Sequence, residues 1–306
     1  MTRTPLTNTL PTLAAAAVLV LTTLTAPAAA AAAPSGNCLP VRMNQLRALQ
    51  DRLDGLALDG LAGKSQYWYV DAARCTLTLA ILRGTADPAT SAFLDTARLV
   101  PALVEVVEVD APIEPRVGLG PTPASPTTPA VDFHGGSTIY SGLTGTVFVC
   151  TAGFNGYRPD TTTTAGHCAR DAPTWYDADG TAIGTVGTSR FPGADWAVVP
   201  KAAGVTLAPD IADGNAYTPI TAFGQPRLDD RVCGTGATSG TQCGRIDATD
   251  VTVNYPNGAV TGLARSTQSG AAGDSGGPVH RNRTAVALIS GGPRNGTPTF
   301  IQPLNF

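Results

Sequence analysis

The chain is 306 residues long, 43% hydrophobic and only 14% charged, so it can bury a substantial core and is too apolar for a disordered protein. Its length predicts about two domains, and its net charge of −3 excludes the basic footprint of a nucleic-acid-binding protein. Glycine (34) and proline (25) are abundant, which predicts many turns and short strands and excludes coiled coils and helical repeats.

Residues 1–33 read as an export signal. Arg3 supplies a positive start, Leu13 to Leu24 form a short apolar run, and Ala26 to Ala33 offer A-x-A cleavage sites. The run is shorter than the ~20 apolar residues that span a bilayer, so no membrane anchor is expected. The protein is therefore expected to be secreted, into a compartment where disulfides form. Its six cysteines, Cys38, Cys75, Cys150, Cys168, Cys233 and Cys243, cluster along the chain as three local pairs. Many pairings are open to six cysteines. No C-x2-C pair exists and the three histidines are scattered, so a metal site is not expected.

Residues 34–110 predict a small α+β unit. Val41, Met43, Leu46, Leu49, Leu53 and Leu56 recur at helical spacing. Strand-like runs follow at Tyr67 to Val70 and Cys75 to Leu82, then a second helix over Asp87 to Leu99 and a strand over Leu103 to Val109. Residues 111–131 are proline-rich and predict an extended, poorly packed linker that proteases can reach. From 132 to 306 short β-rich runs alternate with turn residues, at Gly145 to Val149, Gly184 to Val186, Ala194 to Val199, Thr252 to Tyr255, Ala285 to Ser290 and Thr299 to Ile301. That spacing predicts an all-β sandwich or barrel.

The strongest chemical signal is Gly273-Asp274-Ser275-Gly276-Gly277-Pro278. A serine between glycines can sit on a tight turn with its hydroxyl exposed and backbone N–H groups turned towards a substrate carbonyl. One such donor contributes ~3–4 kcal/mol to an acyl-transfer transition state. A serine nucleophile needs a base, and the base needs an orienting group. Of the three histidines, His134 borders the linker and His280 lies on a strand-like run, whereas His167 sits in Thr164-Ala165-Gly166-His167-Cys168. A bridge from Cys168 to Cys150 would fix that loop, and on the chain-entropy model would contribute ~3 kcal/mol. The orienting carboxylate is sought at Asp195, which heads the apolar run Ala194-Asp195-Trp196-Ala197-Val198-Val199. Burial there without a partner would be costly, and a histidine N–H removes that cost.

TAGHC, DWAVV and GDSGGPV in that order resemble the chymotrypsin-like serine peptidases, specifically the secreted bacterial streptogrisin and α-lytic-protease branch. CTAGFNG at 150–156, CGTGATSGTQCG at 233–244, VTVNYPNGAVTGLAR at 251–265, SGG at 290–292 and TFIQP at 299–303 extend the match over residues 134–303. Residues 39–110 are similar to a shortened form of that branch's pro-region. The resemblance implies two six-stranded antiparallel β-barrels with the active site between them. His167 would be the base, Asp195 its orienter and Ser275 the nucleophile. The N–H groups of Gly273 and Ser275 would form the oxyanion hole, and Ser290, Gly291 and Gly292 would bind an extended substrate as an added strand. The pairs Cys150–Cys168 and Cys233–Cys243 match the family's bridges. An α/β-hydrolase elbow also fits Gly273-x-Ser275-x-Gly277, but only 31 residues follow Ser275, too few for the rest of that fold.

Three departures stand out. The third disulfide usual in relatives has no cysteines here, since its regions read Ser269 to Ala272 and Pro293 to Gly296. Its loss is expected to loosen the wall of the specificity pocket. Gly234 and Thr235 stand where relatives carry an arginine partner for the aspartate before the nucleophile, so Asp274 needs another partner, with Arg231 a candidate. The chain stops at Phe306, where relatives continue into a helix. No acidic residue lies in 269–272 or 290–296, and Ile289 is apolar, so an apolar or small residue is expected before the scissile bond (P1).

The expected protein is thus a secreted serine endopeptidase made as a proenzyme, monomeric, without cofactor or metal, with protein or peptide substrates. Its own pro-region would act as intramolecular chaperone and inhibitor, with the mature N-terminus near Val131 to Gly135. His167 must be unprotonated to act as base, so activity is expected to fall in acid. The alternative from another class is an inactive secreted binding protein on the same scaffold, with a misformed oxyanion loop.

Overall fold

The computed structural model describes residues 38–85, 87–123, 131–142, 144–170, 173–214 and 216–306. The expected export signal lies outside the described residues. No helix among the described residues is long and apolar enough to cross a membrane.

Six strands close the first barrel around the ring 138–140, 147–151, 161–164, 196–200, 182–185 and 174–176. Thr138–Tyr140 pairs with Val147–Thr151 and with Thr174–Tyr176, and the latter pairs with Ala182–Thr185. Thr161–Thr164 pairs with Trp196–Pro200, the Asn155–Thr162 bridge joins it to the chain leaving Thr151, and the Gly184–Lys201 bridge closes the ring. Phe133, Ile139, Trp175, Ile183 and Val205 fill the interior. The second ring runs Arg231–Gly236, Pro278–Arg281, Thr284–Gly292, Thr299–Pro303, Gly258–Ser266 and Gly240–Tyr255, the last pairing back to the first. Its interior is aliphatic: Val232, Ile246, Val279, Val286, Ile289 and Ile301. The β-rich runs read between turn residues overlap these strands, as at Trp196–Pro200, Thr284–Gly292 and Thr299–Pro303.

The N-terminal elements follow in the order read from the sequence: helix, strand, strand, helix, strand. The helix Pro40–Leu58 has proline in its first turn, where the missing N–H costs nothing. It buries Leu46, Leu49, Leu53 and Ala57 against Trp68, Leu77, Leu79 and Phe93. Val41, counted towards that apolar stripe, lies in the first turn and is 69% exposed. In the helix Pro88–Ala97 the carboxylate of Asp87 caps the N-terminus, accepting from Thr90 N at 3.0 Å and Thr90 Oγ1 at 2.6 Å.

This unit joins the second barrel as a continuation of its sheet. The strand Ser65–Asp71 pairs antiparallel with Gly240–Tyr255, with Tyr67 opposite Val253 and Trp68 opposite Thr252. That 16-residue strand serves both bodies because its register against Gly258–Ser266 shifts repeatedly between Ile246 and Val253, bending it out of the barrel. Asn254 Nδ2 donates to the carbonyls of Gly63 (3.0 Å) and Ser65 (2.9 Å), and Gln50 Nε2 donates to Asp250 O at 2.6 Å. Arg265 makes two bonds to Asp247 (2.8 and 2.9 Å) while its guanidinium lies over the rings of Tyr69 and Tyr67.

The segment expected to be a loose linker is packed where it is described. Ile113 is buried among Tyr67, Tyr69, Tyr255 and Phe300, and its N–H donates to Gln66 Oε1 at 2.8 Å. Glu114–Pro115 adds antiparallel to Thr284–Gly292 of the second barrel, and Gly118–Gly120 adds antiparallel to Val147–Thr151 of the first. Proline and glycine do enforce an extended chain here, but the two barrel edges supply the ladder partners that an isolated linker lacks. Residues 124–130 lie outside the described part.

Candidate active site

His167 sits in the one-turn helix Gly166–Ala169, directly after the barrel strand Thr161–Thr164. The disulfide Cys150–Cys168 ties this turn to the neighbouring strand. The other two bridges are Cys38–Cys75 and Cys233–Cys243, and no cysteine is free. Cys150, His167 and Cys168 lie as close together as metal ligands would, but both sulfurs are committed to the disulfide and cannot serve as thiolates.

Asp195 begins the strand Trp196–Pro200 and is wholly buried. Its carboxylate meets His167 Nδ1 at 2.8 and 3.0 Å and accepts the His167 backbone N–H at 2.9 Å. Ser290 Oγ donates to it at 2.6 Å, and Tyr255 OH stands 2.8 Å from Ser290 Oγ. Burial alone would raise the Asp195 carboxyl, but the His167 charge and these donors together hold it below the usual carboxylate range. The same burial, reinforced by the Asp195 charge, pushes the Tyr255 phenol far up, so it stays a neutral donor. On the far side of the imidazole, His167 Nε2 is 2.7 Å from Ser275 Oγ. His134 bonds Asp210 at 2.5 Å and His280 bonds its own turn at Asn282 O, so neither takes part.

The Ser275 loop rests on glycine conformations. Gly273 and Gly276 have φ of +107° and +85°, which a side chain would strain. Thr151 anchors the loop to the first barrel, its N–H donating to Ser275 O and its hydroxyl to Gly273 O, both at 2.8 Å. Asp274 is wholly buried and does not pair with Arg231, which is exposed. Its four donors are Thr238 N and Ser239 N at 3.0 Å, Ala271 N at 2.6 Å and Ser239 Oγ at 2.5 Å. These replace the expected side-chain cation because Gly236 leaves room for the carboxylate; a methyl group there would overlap Asp274. The pocket wall that lacks a disulfide is closed by backbone pairing instead, Gly270–Ala271 against Asn295–Gly296.

The N–H groups of Gly273 and Ser275 converge on one oxygen, the carbonyl of Arg116, at 2.5 and 3.3 Å. Arg116 N donates to Ser290 O at 3.3 Å, and Gly291 and Gly292 pair with Pro115 and Glu114. The Arg116 side chain enters the pocket bounded by Gly270 and Gly292 and is 1% exposed. Its guanidinium donates to Pro293 O (3.3 Å), Thr299 Oγ1 (2.5 Å), Gly296 O (2.7 Å) and Pro298 O (3.2 Å). Three carbonyl oxygens and one hydroxyl thus meet the guanidinium in this pocket, and main-chain carbonyls leave no mark on side-chain composition.

Sequence reasoning gave no role to Tyr255, Gln302 or the Ser290 hydroxyl. Gln302 Oε1 accepts the Asp195 N–H at 2.8 Å and so helps set the carboxylate's position. Both Tyr255 and Gln302 lie inside motifs quoted above, VTVNYPNG and TFIQP, which was the one signal that could have marked them.

A double barrel with an Asp–His–Ser chain at the cleft and two N–H donors beside the serine defines the chymotrypsin-like class of serine peptidases. No protein-family model matches the chain. It is 30% identical to streptogrisin-C of Streptomyces griseus over 270 residues, 86% of this chain but 54% of that relative, so it spans about half of the relative's length. It is 34% identical to serine protease 2 of Streptomyces fradiae over 173 residues, 53% of this chain and 95% of that protein. The solved structure of protease A from Thermobifida fusca superposes with a TM-score of 0.51 at 34% identity, covering 57% of this chain and 93% of that one. The chain belongs to the chymotrypsin-like serine peptidase family, within its bacterial streptogrisin and α-lytic-protease branch.

Proposed function

We propose that the chain is an exported serine endopeptidase made as a proenzyme. His167 acts as general base and acid, Asp195 holds the imidazole in the productive tautomer, and Ser275 is the nucleophile. The Gly273 and Ser275 N–H groups stabilise the oxyanion, and Ser290 to Gly292 bind the substrate main chain. The observation carrying this reading is the continuous chain from Asp195 through His167 to Ser275, 2.8 and 2.7 Å, ending beside two N–H groups already aimed at a carbonyl oxygen. The reading as an inert binding scaffold supposes a misformed oxyanion loop, and the four donors to the Asp274 carboxylate favour an assembled one.

The N-terminal α+β unit is the pro-region in this reading. Its strand lies on Gly240–Tyr255, and the similarity to streptogrisin-C spans more of the chain than the two barrels occupy. Three disulfides suit an oxidising, extracellular setting. Fluorophosphonate labelling of the exported protein tests the activity. Labelling that Ser275→Ala abolishes supports it, and a folded, processed protein that takes no label refutes it.

A further inference from the structure

The stretch Ile113 to Gly120 crosses the cleft as a substrate does. It pairs antiparallel with Thr284–Gly292 before Arg116 and antiparallel with Val147–Thr151 after Val117. Between those two ladders the chain passes Ser275 with the Arg116 carbonyl oxygen held by Gly273 N and Ser275 N. A peptide held as a strand on both sides of the nucleophile, with its carbonyl polarised by two donors, is bound as a substrate would be. Gln66 and the ring cluster around Ile113 deliver the segment into this register from the N-terminal unit.

We propose that Arg116–Val117 is the first bond this protein cuts, in cis, and that the same pocket makes the processed peptidase selective for arginine at P1. This rests on the serine-peptidase reading above. Ser275 Oγ attacks the Arg116 carbonyl carbon as its proton passes to His167 Nε2. The C–N bond to Val117 then breaks, and His167 returns that proton to the departing amine. Water completes hydrolysis of the ester, giving one proton through His167 back to Ser275. The products are an Arg116 carboxylate and a chain that starts at Val117, upstream of the start expected at 131–135.

Selectivity comes from oxygens that need donors. Pro293 O, Gly296 O and Pro298 O line the pocket with Thr299 Oγ1, and the planar guanidinium fork reaches all four. An apolar side chain would displace water from these carbonyls and pair with none, and sites built for hydrogen bonds reject partners that lack them strongly. Burial lowers the guanidinium to about 10, with Asp274 and Tyr255 opposing that shift, so it remains a cation at neutral pH. The negative charge acting on the guanidinium is thus Asp274, whose carboxylate is itself held by four donors. Gly270 and Gly292 are required on the walls, since a methyl group on either would overlap the guanidinium.

The test uses the full chain, expressed for export, with Ser275→Ala, Arg116→Lys and Arg116→Leu beside it. N-terminal sequencing and intact mass follow a time course, and fluorophosphonate labelling is run on every sample. The processed wild-type enzyme is then profiled on a peptide library randomised at P1. The expected first product begins at Val117 and is absent from Ser275→Ala. Arg116→Leu forms it at least 100-fold more slowly, Arg116→Lys falls between, and the library favours arginine over leucine or phenylalanine by tenfold or more. A labelled enzyme whose first fragment begins elsewhere, or whose library prefers apolar P1 residues, overturns the inference and leaves the peptidase intact. The library needs no variant, so a misfolded Arg116→Leu does not shelter the claim. Folded wild-type protein that is processed yet takes no label overturns both readings, and wild-type protein that stays uncut overturns this inference.

Discussion

Ser290 Oγ donates to Asp195 Oδ2 at 2.6 Å, while the carbonyl of the same Ser290 accepts the Arg116 N–H from the peptide in the cleft. In the proposed mechanism one residue thus carries two separable duties, its hydroxyl supporting the Asp195 carboxylate and its main chain reading the substrate. Ser290→Ala removes only the first. A hydrogen bond to a charged group contributes ~1.5–3 kcal/mol, so kcat is expected to fall about tenfold or more with KM little changed. Steady-state kinetics on the processed enzyme check the split. Tyr255→Phe, which leaves the Ser290-to-Asp195 bond in place, should cost less.

Asp195→Asn keeps the shape of the site but removes the charge that selects the histidine tautomer. Activity at neutral pH should drop by about 10³–10⁴. The folded Asp195 carboxyl lies below its unfolded range, so its contribution to stability is present above the ordinary carboxylate value. It is lost as pH falls below ~4 towards the depressed folded value. The difference in Tm between wild type and Asp195→Asn, measured from pH 7 down to 3, should shift against the wild type only in that acid range. A constant difference would rule out the linkage.

The cage around Asp274 predicts where the oxyanion loop fails. Gly236→Ala sets a methyl group into the carboxylate and should destabilise by several kcal/mol, the scale of overpacking combined with a broken polar network. Ser239→Ala deletes one of four donors and should cost ~1–2 kcal/mol. Urea midpoints measure both, and the fraction labelled by fluorophosphonate reports whether the loop still assembles. Arg231→Ala should leave both readings unchanged.

The shared sheet predicts a folding role for the N-terminal unit. Barrels closed by strands far apart in sequence fold slowly, and a strand already held against Gly240–Tyr255 offers a template for the second barrel. Refolding of a chain lacking residues 38–110 should recover active enzyme much more slowly than the whole chain. Asn254→Ala, which strips donors from the Gly63 and Ser65 carbonyls, should give an intermediate rate. Equal recovery by all three, followed as labelling against time, would remove the chaperone role.

What sequence alone settled was local or type-specific. TAGHC, DWAVV and GDSGGPV pointed to the proposed triad because nucleophile, base and orienter are specific side chains in a fixed chain order, and the fold brings His167, Asp195 and Ser275 into one hydrogen-bonded chain. The barrel strands were legible as short β-rich runs because glycine, proline, asparagine and aspartate punctuate them at the turns. The fate of residues 113–120 was not legible. Proline and glycine report an extended backbone, but the ladder partners lie in Thr284–Gly292 and Val147–Thr151, and the pocket for Arg116 is built from carbonyls some 180 residues away. Asp274 follows the same rule, three of its four donors being backbone N–H groups that every residue except proline carries. Residue identities show which side chains are available, whereas main-chain groups become a binding site only when the tertiary fold aims them at one point.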